Sequence, residues 1–193
     1  MIEYGRNVSE VLVFYLYIVF MLSYIVKSLG LDRQVGLNAV VISSLVGFIM
    51  LPLWSWLSDK IGRKPVYLFG SIASTLFIIP FFSMVQSGSI VVLTIAIVIG
   101  LNVLHDSLYG PQAVYFSELY DTKVRLSDAS IGYQIGAVLS GGLAPLIATA
   151  LLAAYGGEPT GIIIYFLILG IVSTGCTLLA RETFKDKWET ASH

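Results

Sequence analysis

The sequence predicts an all-α membrane protein with six transmembrane helices, and three observations support this prediction. Of the 193 residues, 56% are hydrophobic and only 12% are charged, whereas a soluble domain is about one quarter charged. The mean hydropathy is +0.85. The few charged residues bound long charge-free intervals, and an interval of about 20 apolar residues is long enough to cross a bilayer.

The charges divide the chain because an ionised side chain at mid-bilayer costs at least about 2.5 kcal/mol on insertion scales. The interval from Pro65 to Leu104 has no charged residue. It is too long for one helix, so we place a turn in its polar segment QSGS at 86–89. A second turn is predicted at 155–159, which contains two glycines and a proline. The predicted spans are about residues 11–26, 35–57, 66–85, 90–116, 129–154 and 161–180.

Positive charges indicate the orientation of these spans, since short cytoplasmic loops are rich in Lys and Arg. Six spans place Lys27 and Arg33 on one side of the membrane. The other side receives Arg6, Lys60, Arg63, Lys64, Lys123, Arg125, Arg181, Lys185 and Lys187. We therefore expect a multi-pass protein of the plasma (inner) membrane, with residues 1–10 as a cytoplasmic lead-in and residues 181–193 as a cytoplasmic tail.

Several function classes are excluded by the composition. A net charge of −1 provides no basic field for nucleic acid. The single cysteine, Cys176, forms neither an internal disulfide nor a thiolate metal site. Motifs of serine hydrolases, zinc proteases and phosphate-binding loops are absent from the sequence. We expect no enzyme activity, no cofactor and no metal site, and the lipid bilayer is an expected partner.

The loop between the second and third spans carries one acid and three bases. Its sequence at 56–65 is WLSDKIGRKP, in which Gly62 permits a tight reversal and Pro65 suits the first turn of a helix. Such a loop serves at least as a topology anchor. It also resembles the signature loop of the major facilitator superfamily, which joins the second and third helices of each six-helix half. Ser55 stands where that pattern usually has glycine.

A second motif lies further along the chain. Residues 109–149 include YGPQA at 109–113, GYQ at 132–134 and GGLAPLIAT at 141–149. This segment resembles the carboxyl half of metabolite:proton symporters, a branch of that superfamily that moves small carboxylates and betaines. Leu126 and Asp128 depart from the pattern, where tyrosine and glycine are frequent. Both departures fall in a predicted cytoplasmic loop.

The resemblance implies one half of a major facilitator fold. A full transporter has twelve helices in two halves, with the solute between them near the midplane, and this chain corresponds to helices seven to twelve. The implied function is transport of a carboxylate or betaine-like solute by proton-coupled symport and alternating access, as the carboxyl half of a transporter. The alternative is a truncated, non-transporting fragment or interaction subunit. An amino-terminal half or a second copy of the chain is the expected partner.

Two ionisable residues, His105 and Asp106, fall inside the fourth span. An intramembrane acid is a functional candidate by default, and the pair is predicted to couple a proton to solute movement or to stabilise an inner gate. A structural alternative is that these side chains satisfy a backbone kinked by Pro111.

Other polar groups in apolar helices must face protein or a wet cavity. The candidates for a solute pathway are Tyr24, Asn102, Tyr109, Gln112, Tyr133 and Gln134, although aromatic residues near helix ends also serve as interfacial anchors. A gate that closes in one state is predicted from the charged loops, with Asp59, Lys60, Gly62, Arg63, Lys64, Glu118 and Arg125 as its residues.

Small residues repeat along the fifth span and predict close helix packing. They include Gly132, Gly136, Ser140 and Ala144. This face packs either within the domain or, as the resemblance implies, against the other half. The second span has a similar face around Ser43, Ser44 and Gly47, which we expect to meet lipid if no other half covers it.

Overall fold

The computed structural model describes residues 11, 13–119 and 143–179, with the backbone alone for 113–119. All regular secondary structure in these ranges is helical. Five helices are α1 (Val13–Lys27), α2 (Arg33–Ile61), α3 (Arg63–Val85), α5 (Ala144–Ala154) and α6 (Thr160–Leu179). The remaining helix, α4, consists of three consecutive pieces, Ile90–Val98, Ile99–His105 and Asp106–Leu119.

Four helices are long and apolar enough to cross a membrane. They are α2, α3, the Ile90–Gln112 part of α4, and α6, and each exceeds the roughly 18 residues that a span needs. The described parts of α1 and α5 are shorter apolar helices. The prediction of an all-helical chain with several apolar helices is confirmed for the described residues. Six spans and cytoplasmic termini stay predictions.

Local sequence signals explain where the helices begin and end. Asp32 caps α2, with its side chain accepting a hydrogen bond from Gln34 N at 2.8 Å, and Ser89 caps α4 in the same way. A single residue, Gly62, joins α2 to α3 at φ 107° and ψ 155°. An L side chain is strained in this conformation, so the sharp junction requires glycine.

The core lies between α1, α3 and α4. Tyr17 of α1 meets Phe81 of α3 edge to face, with ring centroids 4.6 Å apart, and Tyr24 meets Phe82 in the same manner at 5.7 Å. In the most apolar windows, 56% of the α4 residues but only 17% of the α2 residues are buried. Helix α4 is therefore central, whereas α2 contacts it along one face.

Two π-helical segments interrupt the helices of this core. One covers Leu16–Phe20 in α1 and the other covers Ile99–His105 in α4. They touch where the Tyr17 ring packs on Gly100, since a Cβ at position 100 would lie 2.9 Å from Tyr17 Cε2. The sequence indicates a backbone kink at Pro111, whereas the structure places a π-helical segment before that proline. Pro111 itself lies within the helical piece that follows.

Candidate functional site

An open cleft of about 180 Å³ lies between α1, α2 and the π-helical segment of α4. Apolar side chains form one part of its wall and short polar side chains form the rest. The lining residues are Phe14, Ile18, Val40, Ser43, Ser44, Gly47, Leu51, Leu101, Asn102, His105 and Asp106.

A chain of hydrogen bonds runs across the cleft from α2 to α4. Ser43 Oγ donates to Asn102 Oδ1 at 2.8 Å, and Asn102 Nδ2 donates to Asp106 Oδ2 at 3.1 Å. The other carboxylate oxygen, Oδ1, lies 3.3 Å from His105 Nδ1. Asp106 is only 8% exposed, and both of its oxygens have a partner, as a buried carboxylate requires.

The close approach of α2 depends on Gly47. A Cβ at this position would lie 3.1 Å from Asn102 Nδ2 and 3.8 Å from Asp106 Oδ2. Gly47 therefore leaves room for the amide and the carboxylate at the cleft wall. The expectation that Ser43 meets lipid is wrong, because Ser43 is 2% exposed and binds Asn102, whereas Ser44 on the same helix is exposed.

Aromatic rings surround the imidazole of His105. The ring of Phe14 is tilted against it with centroids 5.4 Å apart, and Tyr109 stacks on it at 5.5 Å with an interplanar angle of 17°. Among the described residues that line the cleft, Asp106 is the one acid and neither Lys nor Arg is present. When Asp106 is ionised and the His105 imidazole is neutral, the pair carries a charge of −1, and one added proton brings this charge to zero.

The loop between α2 and α3 forms a second cluster. Arg63 is 7% exposed, forms an ion pair with Asp59, and donates from Nη1 to Ser58 Oγ at 2.7 Å. Lys64 Nζ donates to the Leu178 carbonyl oxygen of α6 at 2.8 Å. Lys60 Nζ lies 5.9 Å from the Trp56 ring centroid. These contacts join the α2–α3 junction to the end of α6.

The predicted gate pairing across loops is not tested by these contacts. The Glu118 side chain and Arg125 lie outside the described residues. Within the described residues, the acid Asp59 of α2 pairs with Arg63, four residues along the chain and on the other side of the Gly62 junction.

The predicted pathway residues lie in different places. Asn102 lines the cleft, and Tyr109, which is 47% exposed, lies beside it on His105. Gln112 is buried about one helical turn further along α4 than Tyr109. Tyr24 is not among the residues that line the cleft, because it is buried in the core and accepts a hydrogen bond from Gln86 Nε2 at 2.9 Å. Tyr133 and Gln134 lie outside the described residues.

The predicted packing stripe is described only at its end. Ala144 and Ala148 are buried in α5, in contact with the core. Gly132, Gly136 and Ser140 lie outside the described residues.

Sequence reasoning missed two contributors to the site, Phe14 and Trp54. Phe14 lines the cleft from α1, and the Trp54 indole Nε1 donates to the Asn102 carbonyl oxygen at 2.9 Å. Neither has a motif or a charge that would distinguish it from the many other aromatic residues of an apolar helix. The available signal for α2 was its group of small residues at 43, 44 and 47, which permits close approach of another helix.

A comparison with known families decides the fold family. The model of the Major Facilitator Superfamily matches residues 8–192. The chain belongs to the major facilitator superfamily. This confirms the resemblance found in the loop at 56–65 and in residues 109–149, and it makes the chain a multi-pass membrane protein.

Curated relatives of this superfamily member are transporters. It is 31% identical to the shikimate transporter of Escherichia coli over 177 residues, which are 92% of this chain and 40% of the relative. It is 26% identical to the proline/betaine transporter of the same organism, over 93% of this chain and 35% of the relative. The glycine betaine/proline/ectoine/pipecolic acid transporter OusA of Dickeya dadantii is also 26% identical, with the same coverage.

Two statements follow from these relatives. Their names are those of transporters, in agreement with the expectation that the chain is not an enzyme. The chain spans two fifths or less of the length of these relatives.

Proposed function

We propose that the chain acts as the carboxyl half of a transporter that carries a small organic solute, a carboxylate or a betaine-like metabolite. We further propose proton-coupled symport by alternating access. Membership of a transporter superfamily and relatives named for shikimate, proline and betaine support the solute class. The alternative of a non-transporting fragment has no specific support from these comparisons.

The observation that carries the proposal is the buried pair of Asp106 and His105 at a polar cleft. A carboxylate in an apolar helix is expensive and marks ion or proton pathways. Here it lies 3.3 Å from an imidazole, whose ordinary pKa is closest to physiological pH. Gain of a proton neutralises the pair, so an anionic group then enters the cleft without charge repulsion. This charge change provides a physical reason for coupling proton and carboxylate movement.

Asn102 and Ser43 would contact the solute or its hydration shell. They are the uncharged polar groups that the cleft network joins, and each holds hydrogen-bonding capacity beyond the bond between them. The third uncharged polar residue of the wall, Ser44, donates to the Val40 carbonyl oxygen of its own helix. Tyr109 would adjust the access of solute to His105, because its ring covers one face of the imidazole. Gln112, Tyr24, Tyr133 and Gln134 remain proposed pathway residues beyond this cleft.

The charged loop would act as the inner gate of the proposed transporter. Asp59, Lys60, Gly62, Arg63 and Lys64 form its described part, and Glu118 and Arg125 would complete it from the next loop. Exposed ion pairs contribute little individually, so the gate requires a network that forms in one state and separates in the other. We place the gate and both termini on the cytoplasmic side of the inner membrane, with an amino-terminal half or a second copy as partner.

Uptake into proteoliposomes tests the proposal. Vesicles that contain the purified chain are given labelled shikimate, proline or glycine betaine, with and without an inward proton gradient. We expect gradient-driven accumulation of one of these solutes, and we expect Asp106→Asn to abolish it because the amide cannot exchange a proton.

Asp32→Asn is the matched control. It makes the same chemical change at an exposed helix cap, and asparagine caps helices as well as aspartate does, so uptake should persist. Uptake that survives Asp106→Asn would contradict the coupling role. No uptake by well-folded chain would contradict transport by this chain alone and would favour the non-transporting alternative.

A further inference from the structure

One hydrogen bond of the α4 backbone is displaced at the cleft. The Asp106 N–H donates to the carbonyl of Leu101, five residues back. In an α-helix it would donate to Asn102, four residues back. In the π-helical segment the Asp106 N–H therefore does not pair with the Asn102 carbonyl oxygen, as it would in a regular α-helix. A backbone acceptor inside an apolar helix bundle needs another donor.

Helix α2 supplies that donor from a tryptophan. Trp54 Nε1 lies 2.9 Å from the Asn102 carbonyl oxygen. The indole has a defined orientation because it also stacks on Phe69 of α3, with centroids 5.5 Å apart and an interplanar angle of 25°. An indole has one donor and no competing acceptor, so this contact uses its full hydrogen-bonding capacity.

We propose that Trp54 is a positioning residue of the cleft. By replacing the lost backbone bond at Asn102, it stabilises the π-helical register of α4 and so fixes where Asn102, His105 and Asp106 lie. The inference rests on the proposed function only in taking this cleft as the transport site. Trp54 is not among the residues that line the cleft, so it acts through Asn102 and not on the solute.

The geometry explains why register matters here. Each residue of an α-helix with 3.6 residues per turn turns the chain by about 100°. Converting the π turn to regular α-helix would therefore rotate the part of α4 after the turn by about that angle relative to the part before it. Asn102 lies within the turn, and its side chain connects Ser43 to Asp106. A change to regular α-helix would therefore separate this amide from at least one of its two partners.

A second contact from α2 holds the next turns of α4. Ser55 Oγ lies within hydrogen-bond distance of two carbonyl oxygens, that of Leu51 in its own helix at 3.0 Å and that of Gly110 in α4 at 3.1 Å. A Cβ at position 110 would lie 3.1 Å from the same hydroxyl. Ser55 occupies the place where the loop motif usually has glycine, and the glycine of this contact is on α4 instead. Trp54 and Ser55, which are adjacent in α2, thus contact α4 at one residue before Asp106 and at one residue after it in the chain.

Nuclear magnetic resonance of the full chain in lipid nanodiscs tests this inference without a transport assay. The sequence has two histidines and three tryptophans, so selective ¹⁵N labelling gives few signals. His193→Gln identifies the His105 ring, and Trp56→Phe and Trp188→Phe identify the Trp54 indole by elimination. We expect Trp54→Phe, which keeps an aromatic ring on Phe69 but removes the donor, to displace the His105 ring signals.

Trp56→Phe is the control, because it makes the same change two residues away at a more exposed side chain, and we expect it to leave the His105 signals in place. Equal His105 signals in Trp54→Phe and wild type would overturn the inference. A second measurement uses the wild-type chain and does not depend on whether Trp54→Phe folds. Its Trp54 indole proton should exchange with solvent at least about tenfold more slowly than that of Trp56, as a hydrogen-bonded group does, and equal rates would also overturn the inference.

The transport readout separates this inference from the proposed function. In a chain that transports, Trp54→Phe should raise the KM for solute about fivefold, the factor that corresponds to one ordinary hydrogen bond, and Trp56→Phe should not. Wild-type chain that shows the expected resonance results but no uptake would contradict transport by this chain alone and leave the role of Trp54 in place.

Discussion

Replacing Gly70 by alanine tests the close contact between α3 and α4 beside the cleft. A Cβ at position 70 would lie 2.8 Å from Leu108 Cγ and 2.9 Å from its Cδ2, and it would also contact Ser107 Oγ. Ser107 and Leu108 are fully buried, and they directly follow Asp106 in α4. Because these neighbours have no free space to enter, the added methyl group must push the two helices apart.

The magnitude follows from comparison with a second glycine. Overpacking by one methyl group costs about 1–3 kcal/mol, whereas alanine gains about 0.5–1 kcal/mol over glycine within a helix. Gly175 is also helical, but a Cβ there has no atom within 4 Å. Gly175→Ala therefore has the propensity gain without the clash. Since this gain is common to both variants, we expect Gly70→Ala to be less stable than Gly175→Ala by about 1–3 kcal/mol.

Unfolding in mixed micelles, followed by circular dichroism as dodecyl sulfate is added, measures this difference. The same variants in the uptake assay should show reduced transport by Gly70→Ala, because displacement of Ser107 and Leu108 moves Asp106 as well. Equal stability of the two alanine variants would refute the helix contact on which this reasoning depends. A stability loss with normal uptake would refute only the link between that contact and the cleft.

Two further predictions concern the cleft wall and the charged loop. Gly47→Leu should abolish uptake, because the added side chain would press on Asn102 and enter the cleft, whereas Phe48→Leu, at a neighbouring position that is 80% exposed, should retain uptake. In the loop, Arg63→Ala should lower the unfolding free energy by about 1.5–3 kcal/mol, since it removes a buried charged donor and with it the hydrogen bond to Ser58. Asp59→Asn should lower it by less than about 1 kcal/mol because Asp59 is 58% exposed. Thermal unfolding in detergent measures both values, and equal losses would contradict the assigned burial of Arg63.

Local features of the fold could be predicted because their causes are local. Gly62 and the charges around it predict a sharp, wet junction, and the structure has a single glycine with positive φ between two helices. The polar segment at 86–89 predicts an interruption in a long apolar interval, and Ser89 caps the helix that follows. Hydropathy and capping depend on neighbours within a few residues, so a sequence is sufficient to find them.

The cleft could be predicted only in part because its contacts are distant in sequence. Asp106, His105 and Asn102 were identifiable as polar residues within one apolar helix. Their partner Ser43 is 59 residues away from Asn102, and Trp54 is 48 residues away. Which face of α2 meets which face of α4 depends on the packing of both helices. The π-helical register that sets the α4 face is in turn stabilised by contacts from α2, so neither helix alone determines the site.

This dependence makes α2 the mechanical connection between the two clusters. Ser43 and Trp54 contact the cleft network, and the same unbroken helix continues to Asp59 in the charged loop. Ser43 and Asp59 are 16 residues apart, or roughly 24 Å at 1.5 Å per residue. In the proposed mechanism, a tilt of α2 that opens the gate would also change the distances from Ser43 and Trp54 to Asn102. In the proposed transporter, an acid whose hydrogen-bond donor is held by this helix would therefore change its surroundings when the gate moves, as coupling between a gate and a proton site requires.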